Sequence, residues 1–246
     1  MPEGPSIVIL REEAAALAGQ LIRDASGNAK IDLERLPGRR VLALRSFGKQ
    51  FLIELSDALT VRVHLLMFGS YRIGEGRDIA PRLHLGFDAG ELNFYNCSVR
   101  LLEGDLDTLY DWRADVMSDR WNPRLALAKL RAMPHTLACD ALLDQGVFAG
   151  VGNIMKNEVL FRIRVHPLST LGALSAYKLR ELVAQAHVYA FEFLVWKKAH
   201  VLARHWLVHN RGRCPRHGIP LQRAYLGKTH RRSFFCLRCQ KLYTET

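Results

Sequence analysis

The chain has 246 residues and a mass of 28.0 kDa, enough for one large domain or for two small domains with an appendage. A hydrophobic fraction of 49% with a mean hydropathy near zero excludes a disordered or collagen-like chain, and no apolar stretch reaches the roughly 18 residues of a membrane span. The 35 Lys and Arg residues against 24 Asp and Glu give a net charge of +11, which favours a polyanionic partner, either nucleic acid or an anionic membrane face.

The N-terminal residues are not expected to form a secretory signal, because Glu3 and Pro5 precede the first apolar run and no basic segment leads into it. We therefore expect a soluble, cytoplasmic protein. The five cysteines are an odd number with three near the C-terminus, which suits a metal site in a reducing compartment better than disulfides. The other two, Cys97 and Cys139, are expected to be buried free thiols.

The first predicted element is an amphipathic helix over residues 5–19, where apolar side chains recur at helical spacing. From about residue 31 to residue 103 the apolar runs are shorter and are interrupted by glycines, which predicts an all-β block of sandwich or barrel type. The predicted strands cover residues 40–47, 50–55, 59–65, 83–87 and 92–95.

Helical patterns follow Trp121-Asn122-Pro123, over residues 125–133, 138–144, 153–161 and 175–198. The last 35 or so residues are basic and rich in turn formers. The sequence thus predicts an α+β, multidomain fold with a boundary near residue 120.

Two Cys/His pairs dominate the C-terminal segment. Cys214-x-x-His217 and Cys236-x-x-Cys239 are separated by 18 residues, which can form a β-hairpin that brings both pairs to one tetrahedral ion. Zinc suits this ligand set, and four protein ligands predict a structural rather than a catalytic ion. The loop between the pairs, residues 227–232, includes Lys228 and is strongly cationic. It indicates either phosphate contact or a solvated run of charge.

A glycine-rich turn joins two of the predicted helices. Gly150 and Gly152 bracket it, and Asn153 is predicted to cap the helix that follows, whose free N–H groups can bind phosphate. An ordinary helix–helix connection is the alternative interpretation.

Pro2, the second residue, can provide a reactive amine at the N-terminus. A small residue after Met1 directs removal of the initiator Met, which exposes the secondary amine of Pro2. An α-amino group has a pKa of about 8, against about 10 for a lysine, so a useful fraction is unprotonated at neutral pH. Such an amine can attack an aldehyde-level carbon to form an iminium, with Glu3 as acid or base.

Three motifs occur in order over essentially the whole chain: Met1-Pro2-Glu3-Gly4-Pro5, the turn from Asp144-Gln145 to Gly152-Asn153, and the Cys/His pairs. Together they resemble the formamidopyrimidine-DNA glycosylase/endonuclease VIII family. The resemblance implies an N-terminal helix with an antiparallel β-sandwich (residues 1–120), a helix–two-turn–helix domain (121–205) and a zinc-finger β-hairpin (206–246). It also implies excision of oxidised bases and cleavage at the resulting abasic site.

By the same resemblance, Pro2 matches the family's nucleophile and Glu3 its partner in proton transfer. Glu158 matches a helix glutamate of the family, for which helix packing or capping is the alternative role.

The resemblance further assigns DNA contacts. Lys49, Asn153 and Arg231 match residues that touch phosphates near the lesion. Arg232 is the alternative to Arg231 if the register slips by one residue. Leu66-Met67-Phe68 matches a loop that enters the duplex where a base has left, although an apolar trio at a strand end is more often core.

Three departures from the family pattern bear on specificity. His217 stands where Cys is commoner, and Ile154-Met155-Lys156 replaces a sequence that usually contains an aromatic residue. Residues 200–213 run almost directly into the metal motif, without the long Gly/Thr-rich insertion through which the purine-directed branch holds 8-oxoguanine. This favours the endonuclease VIII branch and oxidised pyrimidines.

The expected protein is a monomeric, bifunctional glycosylase and abasic-site lyase of base excision repair, acting on damaged double-stranded DNA at the nucleoid, with one structural zinc and no obligate protein partner. One alternative is a non-catalytic damaged-DNA-binding protein on the same scaffold, and another is a glycosylase that prefers 8-oxoguanine or formamidopyrimidine. Membrane binding through the tail requires an amphipathic basic helix there, which the turn-rich metal motif disfavours.

Overall fold

The elements follow the predicted order of a helix, a block of strands, a group of helices and a hairpin, in a computed structural model that describes residues 2–244. The helices are α1 (Gly4–Glu13), α2 (Leu106–Leu109), α3 (Pro123–Arg131), α4 (Ala138–Ala141), α5 (Asn153–Arg162) and α6 (Ala176–Lys198). The strands are β1 (Asp24–Ser26), β2 (Val41–Phe47), β3 (Gln50–Leu55), β4 (Leu59–Ile73), β5 (Leu83–Phe87), β6 (Gly90–Glu103), β7 (Gln222–Leu226) and β8 (Arg231–Phe235).

Helix α1 begins directly after the Pro2-Glu3 dipeptide. Glu3 is the extended N-cap residue, and Pro5 lies in the first turn, where its missing N–H costs no hydrogen bond. The helix is shorter than the predicted 5–19, because residues 15–17 continue as a single 3-10 turn before Gly19. Ile7 and Leu10 are fully buried, so this face of α1 is held against the sheet.

Six antiparallel strands form one continuous sheet in the order β1-β5-β6-β4-β3-β2. Strands β4 and β6 are much longer than predicted, with 15 and 14 residues. Their pairing is interrupted between Leu65 and Ser70, where the register shifts. Residues 66–68 are all apolar, so the alternation of apolar and polar residues ends at residue 65 and the strand was predicted to end there. The backbone nevertheless continues as strand through the irregularity.

The chain divides into two compact units, one ending at Asp111 and one beginning at Trp112. The core of the first unit joins α1 to apolar side chains of the sheet such as Phe51, Val63 and Phe94. The second unit contains both the helices and the Cys/His segment, which the sequence predicts as two domains, residues 121–205 and 206–246.

Helices α3 to α6 of the second unit share one core, in which Phe148, Met155, Tyr189 and Phe193 are buried. The predicted β-hairpin between the two Cys/His pairs is present as β7 and β8. Its apolar residues form a smaller cluster with Phe161 of α5. The predicted α+β class is confirmed. In the described part of the chain no helix has the length and apolar character needed to cross a bilayer.

Candidate functional site

The four predicted metal ligands meet at the base of the β7–β8 hairpin. The ligand atoms of Cys214, His217, Cys236 and Cys239 lie within 4.8 Å of one another. Cys214 Sγ is 3.6 Å from Cys239 Sγ and 3.8 Å from His217 Nδ1, and Cys236 Sγ is 3.9 Å from His217 Nδ1. Ligands bound to one tetrahedral ion lie roughly 3.5–3.8 Å from each other. The set can therefore hold a single metal ion.

The two arginines at the start of β8 lie in different environments. The guanidinium of Arg232 donates to Tyr225 Oη at 2.8 Å and lies 5.3 Å from the centre of the Tyr225 ring. Arg231 is half-buried and pairs with Leu226 across the hairpin. Because successive side chains of a strand point to opposite faces, the two arginines cannot serve the same contact. Lys228 is exposed in the turn before them.

The glycine-rich turn before α5 is closed by the side chain of Gln145. Its Oε1 accepts the N–H of Gly150 at 3.1 Å, and its Nε2 donates to the carbonyl of Val151 at 3.1 Å. Gly150 has a φ of 100°, a backbone conformation that favours glycine. These contacts explain why Gln145 and Gly150 occur at this spacing.

The prediction that Asn153 caps α5 is wrong. The N-cap residue is Gly152, which is extended, and Asn153 is the first residue of the helix. Its Nδ2 instead donates to the carbonyl oxygen of Arg232 at 3.0 Å. Asn153 Oδ1 is buried and has no hydrogen-bond partner within the described residues. Asn153 thus connects the start of α5 to β8.

Two further polar side chains of α5, missed in the sequence, join the same strand. Lys156 is 1% exposed, and its Nζ donates to Ser233 Oγ at 2.8 Å and to the Arg232 carbonyl at 3.3 Å. Asn157 Oδ1 accepts the N–H of Phe234 at 3.2 Å. The signal was available, because residues 153, 156 and 157 share one helical face.

Asn157 also contacts a histidine. Burial lowers the pKa of His209 to about 4, and the nearby ammonium of Lys156 lowers it as well. The ring is therefore neutral at pH 7, and its Nδ1 accepts from Asn157 Nδ2 at 3.2 Å.

Glu158 holds the segment that leads to the metal ligands. Its carboxylate oxygens accept the N–H groups of Leu207, Val208 and His209 at 2.8–3.0 Å. Burial raises the pKa of Glu158, and the three donors oppose that shift because they favour the charged form. These contacts favour the packing role over a catalytic one.

In the first unit, Pro2 is partly exposed immediately before α1, and the adjacent Glu3 is fully buried. Met1, whose removal the sequence predicts, lies outside the described residues. Glu3, with its buried carboxyl group, thus directly follows the predicted nucleophile Pro2 in the chain.

Lys49 lies with Gly48 in the two-residue turn between β2 and β3. Gln50, at the start of β3, pairs with His64 of β4. Burial lowers the pKa of His64, and the positive charges of Lys49 and Arg62 lower it further. His64 was not among the predicted site residues, although the alternation of β4 places Arg62 and His64 together on the face away from the core.

The apolar trio is not part of the core. Leu66, Met67 and Phe68 are 42%, 52% and 81% exposed. A Cβ on the following Gly69 would lie 2.7 Å from the carbonyl oxygen of Asn96 and from the N–H nitrogen of Leu66, so only glycine fits there. The tight bulge turns these side chains outward.

Comparison with known proteins identifies the family. Residues 1–100 match the model of the formamidopyrimidine-DNA glycosylase N-terminal domain, and residues 114–190 match that of the H2TH domain. A probable endonuclease 8 of Streptomyces coelicolor is 33% identical over 191 residues, which cover 72% of this chain and 68% of the relative. The chain belongs to the formamidopyrimidine-DNA glycosylase/endonuclease VIII family. The predicted family is confirmed.

Other relatives in this family are longer. Human endonuclease 8-like 2 is 34% identical over 178 residues, and Xenopus laevis endonuclease 8-like 3 is 29% identical over 230 residues. The matches cover 70% and 88% of this chain but only 51% and 37% of the relatives. The chain therefore spans about half of the length of the first relative and less than two fifths of the second.

Solved structures share the fold. Lactococcus lactis formamidopyrimidine-DNA glycosylase, bound non-covalently to DNA with an abasic site, superposes with a TM-score of 0.86 at 22% identity, over 97% of this chain and 99% of that one. A viral DNA glycosylase gives 0.85 at 20% identity, over 97% and 100%. The family fold thus extends beyond the regions that the two family models match.

Glu158→Gln tests the packing role of this carboxylate. The substitution places an NH2 group against buried N–H donors, and it is expected to lower the free energy of unfolding by about 1–3 kcal/mol in urea denaturation. Glu181→Gln on α6, which removes an ion pair with Lys178 at 2.7 Å, is the control and should cost about 1 kcal/mol or less. Unchanged stability with slower strand cleavage at saturating DNA would contradict the packing role.

Proposed function

We propose that this chain excises oxidised bases from double-stranded DNA and then cleaves the strand at the abasic site, with Pro2 as the nucleophile. The observation that carries the proposal is the placement of a partly exposed Pro2 beside the buried Glu3 at the start of α1, in a member of a DNA glycosylase family. The proposed pathway is base excision repair, and no obligate protein partner is invoked.

The chemistry follows from a secondary amine. After Met1 is removed, the Pro2 nitrogen attacks C1′ of the damaged nucleotide, and the bond from C1′ to the base breaks as the base leaves with a proton. Glu3 moves protons to and from the sugar as its ring opens to an iminium. The iminium acidifies C2′–H, and loss of that proton expels the 3′ phosphate by β-elimination. A second, δ-elimination expels the 5′ phosphate, and water then hydrolyses the iminium to free Pro2.

DNA binding is proposed to use positive and polar groups of both units. Lys49, with His64 nearby, contacts phosphate from the first unit, while Asn153, Lys228 and Arg231 do so from the second. Arg231 is preferred because it lies five residues before Cys236, the position that matches the family's arginine, and Arg232 is the alternative. The net charge of +11 supports phosphate binding in general.

The exposed trio Leu66, Met67 and Phe68 is proposed to fill the gap left when the damaged nucleotide rotates out of the stack. An apolar wedge offsets part of the lost stacking energy. The high exposure of all three side chains, on a bulge that only glycine permits, supports this role.

Zinc is the proposed occupant of the Cys/His cluster. Three thiolates and one imidazole are its preferred ligands, and a closed set of four supplies structure rather than a reactive coordination position. Cys214 and His217 lie before the hairpin and Cys236 and Cys239 after it, so the ion would join its two ends.

Oxidised pyrimidines are the proposed substrates. The support is the short connection between α6 and Cys214, which lacks the insertion associated with 8-oxoguanine. The alternative, a scaffold that binds damaged DNA without cutting it, would apply if Pro2 stayed blocked by Met1.

Borohydride trapping tests the nucleophile. With DNA that carries an oxidised base, reduction of the iminium should give a covalent adduct that peptide mapping places on the Pro2 nitrogen. A protein with one extra, uncleaved N-terminal residue has an amide in place of the Pro2 amine and should bind DNA without forming the adduct.

Glu3→Gln should slow base release more than it slows trapping on a preformed abasic site. An adduct on a lysine would overturn the mechanism.

A panel of duplexes, each with one oxidised base, tests the substrate class. Single-turnover rates are expected to be highest for oxidised pyrimidines. A preference for 8-oxoguanine opposite cytosine would assign the chain to the purine-directed branch instead.

Metal analysis tests the zinc site. We expect one zinc ion per chain, and its removal by a chelator should abolish DNA binding because the hairpin loses its base. His217→Cys keeps a tetrahedral ligand set and should retain both zinc and binding, whereas His217→Ala should lose both. Full DNA binding by the metal-free protein is the contrary result.

A further inference from the structure

A carboxylate from the helical part of the second unit holds the turn of the metal-binding hairpin. We call residues 227–230, which join β7 to β8, the hairpin turn. Asp140 of α4 accepts the N–H of Lys228 through Oδ2 at 2.8 Å. Through Oδ1 it accepts both the N–H and the hydroxyl of Thr229, each at 3.1 Å. Both carboxylate oxygens are therefore used on two successive residues of the turn.

The turn is shaped to receive this carboxylate. Gly227 has a φ of 72°, and a Cβ built on it would lie 2.5–2.8 Å from the carboxylate atoms of Asp140. A side chain at this position would thus both strain the backbone and displace Asp140. His230 closes the turn with an N–H that donates to the Gly227 carbonyl at 3.1 Å, and its ring stacks on Tyr225.

The strand that follows the turn is held independently. Asn153 and Lys156 of α5 both donate to the carbonyl oxygen of Arg232. Arg231 therefore lies between two fixed points, the turn bound to Asp140 and the carbonyl bound to α5. The hairpin is anchored on both sides of the residue that is proposed to contact phosphate.

The negative charge of Asp140 by itself disfavours binding of DNA by the hairpin. An anion that is hydrogen-bonded to the backbone of Lys228 weakens attraction to DNA by charge alone. We propose that Asp140 is a positioning residue for DNA binding, which holds the hairpin turn so that Lys228 and Arg231 meet the phosphates in one preformed arrangement. This inference rests on the proposed DNA-binding function of the hairpin. A turn that is already ordered in the free protein loses little conformational entropy when DNA binds, so less of the binding energy is spent on ordering it.

Charge and positioning predict effects of opposite sign, which makes the test decisive. Asp140→Asn removes one negative charge, so electrostatics alone predicts tighter binding. If positioning dominates, the dissociation constant for a duplex with a tetrahydrofuran abasic analogue should rise about three- to tenfold. The salt dependence should fall by the slope of about one phosphate contact, ~0.9. The control is Asp119→Asn, because Asp119 is exposed and accepts a hydrogen bond at 3.3 Å from the hydroxyl of the adjacent Ser118. It should bind DNA as tightly as the wild type or more tightly.

Kinetic coupling separates positioning from a general loss of structure. Asp140→Asn should raise KM for damaged DNA while the single-turnover rate at saturating DNA stays within about twofold of wild type. In a Lys228→Ala background, Asp140→Asn should cost less than it does alone, because the two residues act through the same turn.

A milder series covers the case in which Asp140→Asn fails to fold. Thr229→Val removes only the hydroxyl donor and should weaken binding by a smaller factor, and Thr229→Ser should restore it. Zinc content and the urea midpoint are measured for every variant. If the wild type binds the duplex and the Asp140 and Thr229 variants bind equally well or more tightly, the positioning role is overturned. If the wild type itself fails to bind, the proposed function fails first.

Discussion

The carbonyl oxygen of Arg232 receives hydrogen bonds from three side chains of one helix, Asn153, Lys156 and Asn157. A backbone carbonyl has two lone pairs, so this concentration of donors makes the start of β8 a fixed point. The buried ammonium of Lys156 also donates to Ser233, which adds a charge-assisted contact at a site from which water is excluded. The helix end and the hairpin strand are consequently parts of one rigid arrangement.

Other features of the second unit depend on that arrangement. Glu158, one residue after Asn157 in α5, holds residues 207–209, which lead to the Cys/His cluster. The cluster gathers the two ends of the hairpin, and Asp140 holds its turn. Each contact is a hydrogen bond of ordinary length. Together they hold the start of α5 and the start of β8, which are distant in sequence, in one fixed arrangement.

In the first unit, local backbone structure and burial hold the N-terminal residues in place. An extended residue followed by a proline-containing first turn begins α1, and burial of Ile7 and Leu10 holds the helix on the sheet. Pro2 is thereby kept next to ordered structure although it lies near the end of the chain. Leu66, Met67 and Phe68 are exposed at the register shift of β4, where the backbone at Gly69 lies too close to Asn96 for any residue with a Cβ.

The sequence by itself predicted the features that depend on residues close together in the chain. The spacing of Cys214, His217, Cys236 and Cys239 predicted the ligand set, and the alternating runs predicted β3 and β5 with the bounds observed. The order of the motifs predicted the family. These features depend on neighbours a few residues apart, or on a hairpin of fixed length, so no distant contact was needed to infer them.

Contacts between distant segments were decided only by tertiary structure. Asn153 was predicted as a cap because the pattern of its neighbours suits one, but a strand almost 80 residues away draws its side chain into the interior, and Gly152 takes the cap position. The pairing of Asp140 with the hairpin turn, the burial of Lys156 and the separate environments of Arg231 and Arg232 likewise depend on how the hairpin packs on the helices. Sequence determines which groups can donate and accept, whereas packing determines which of them meet.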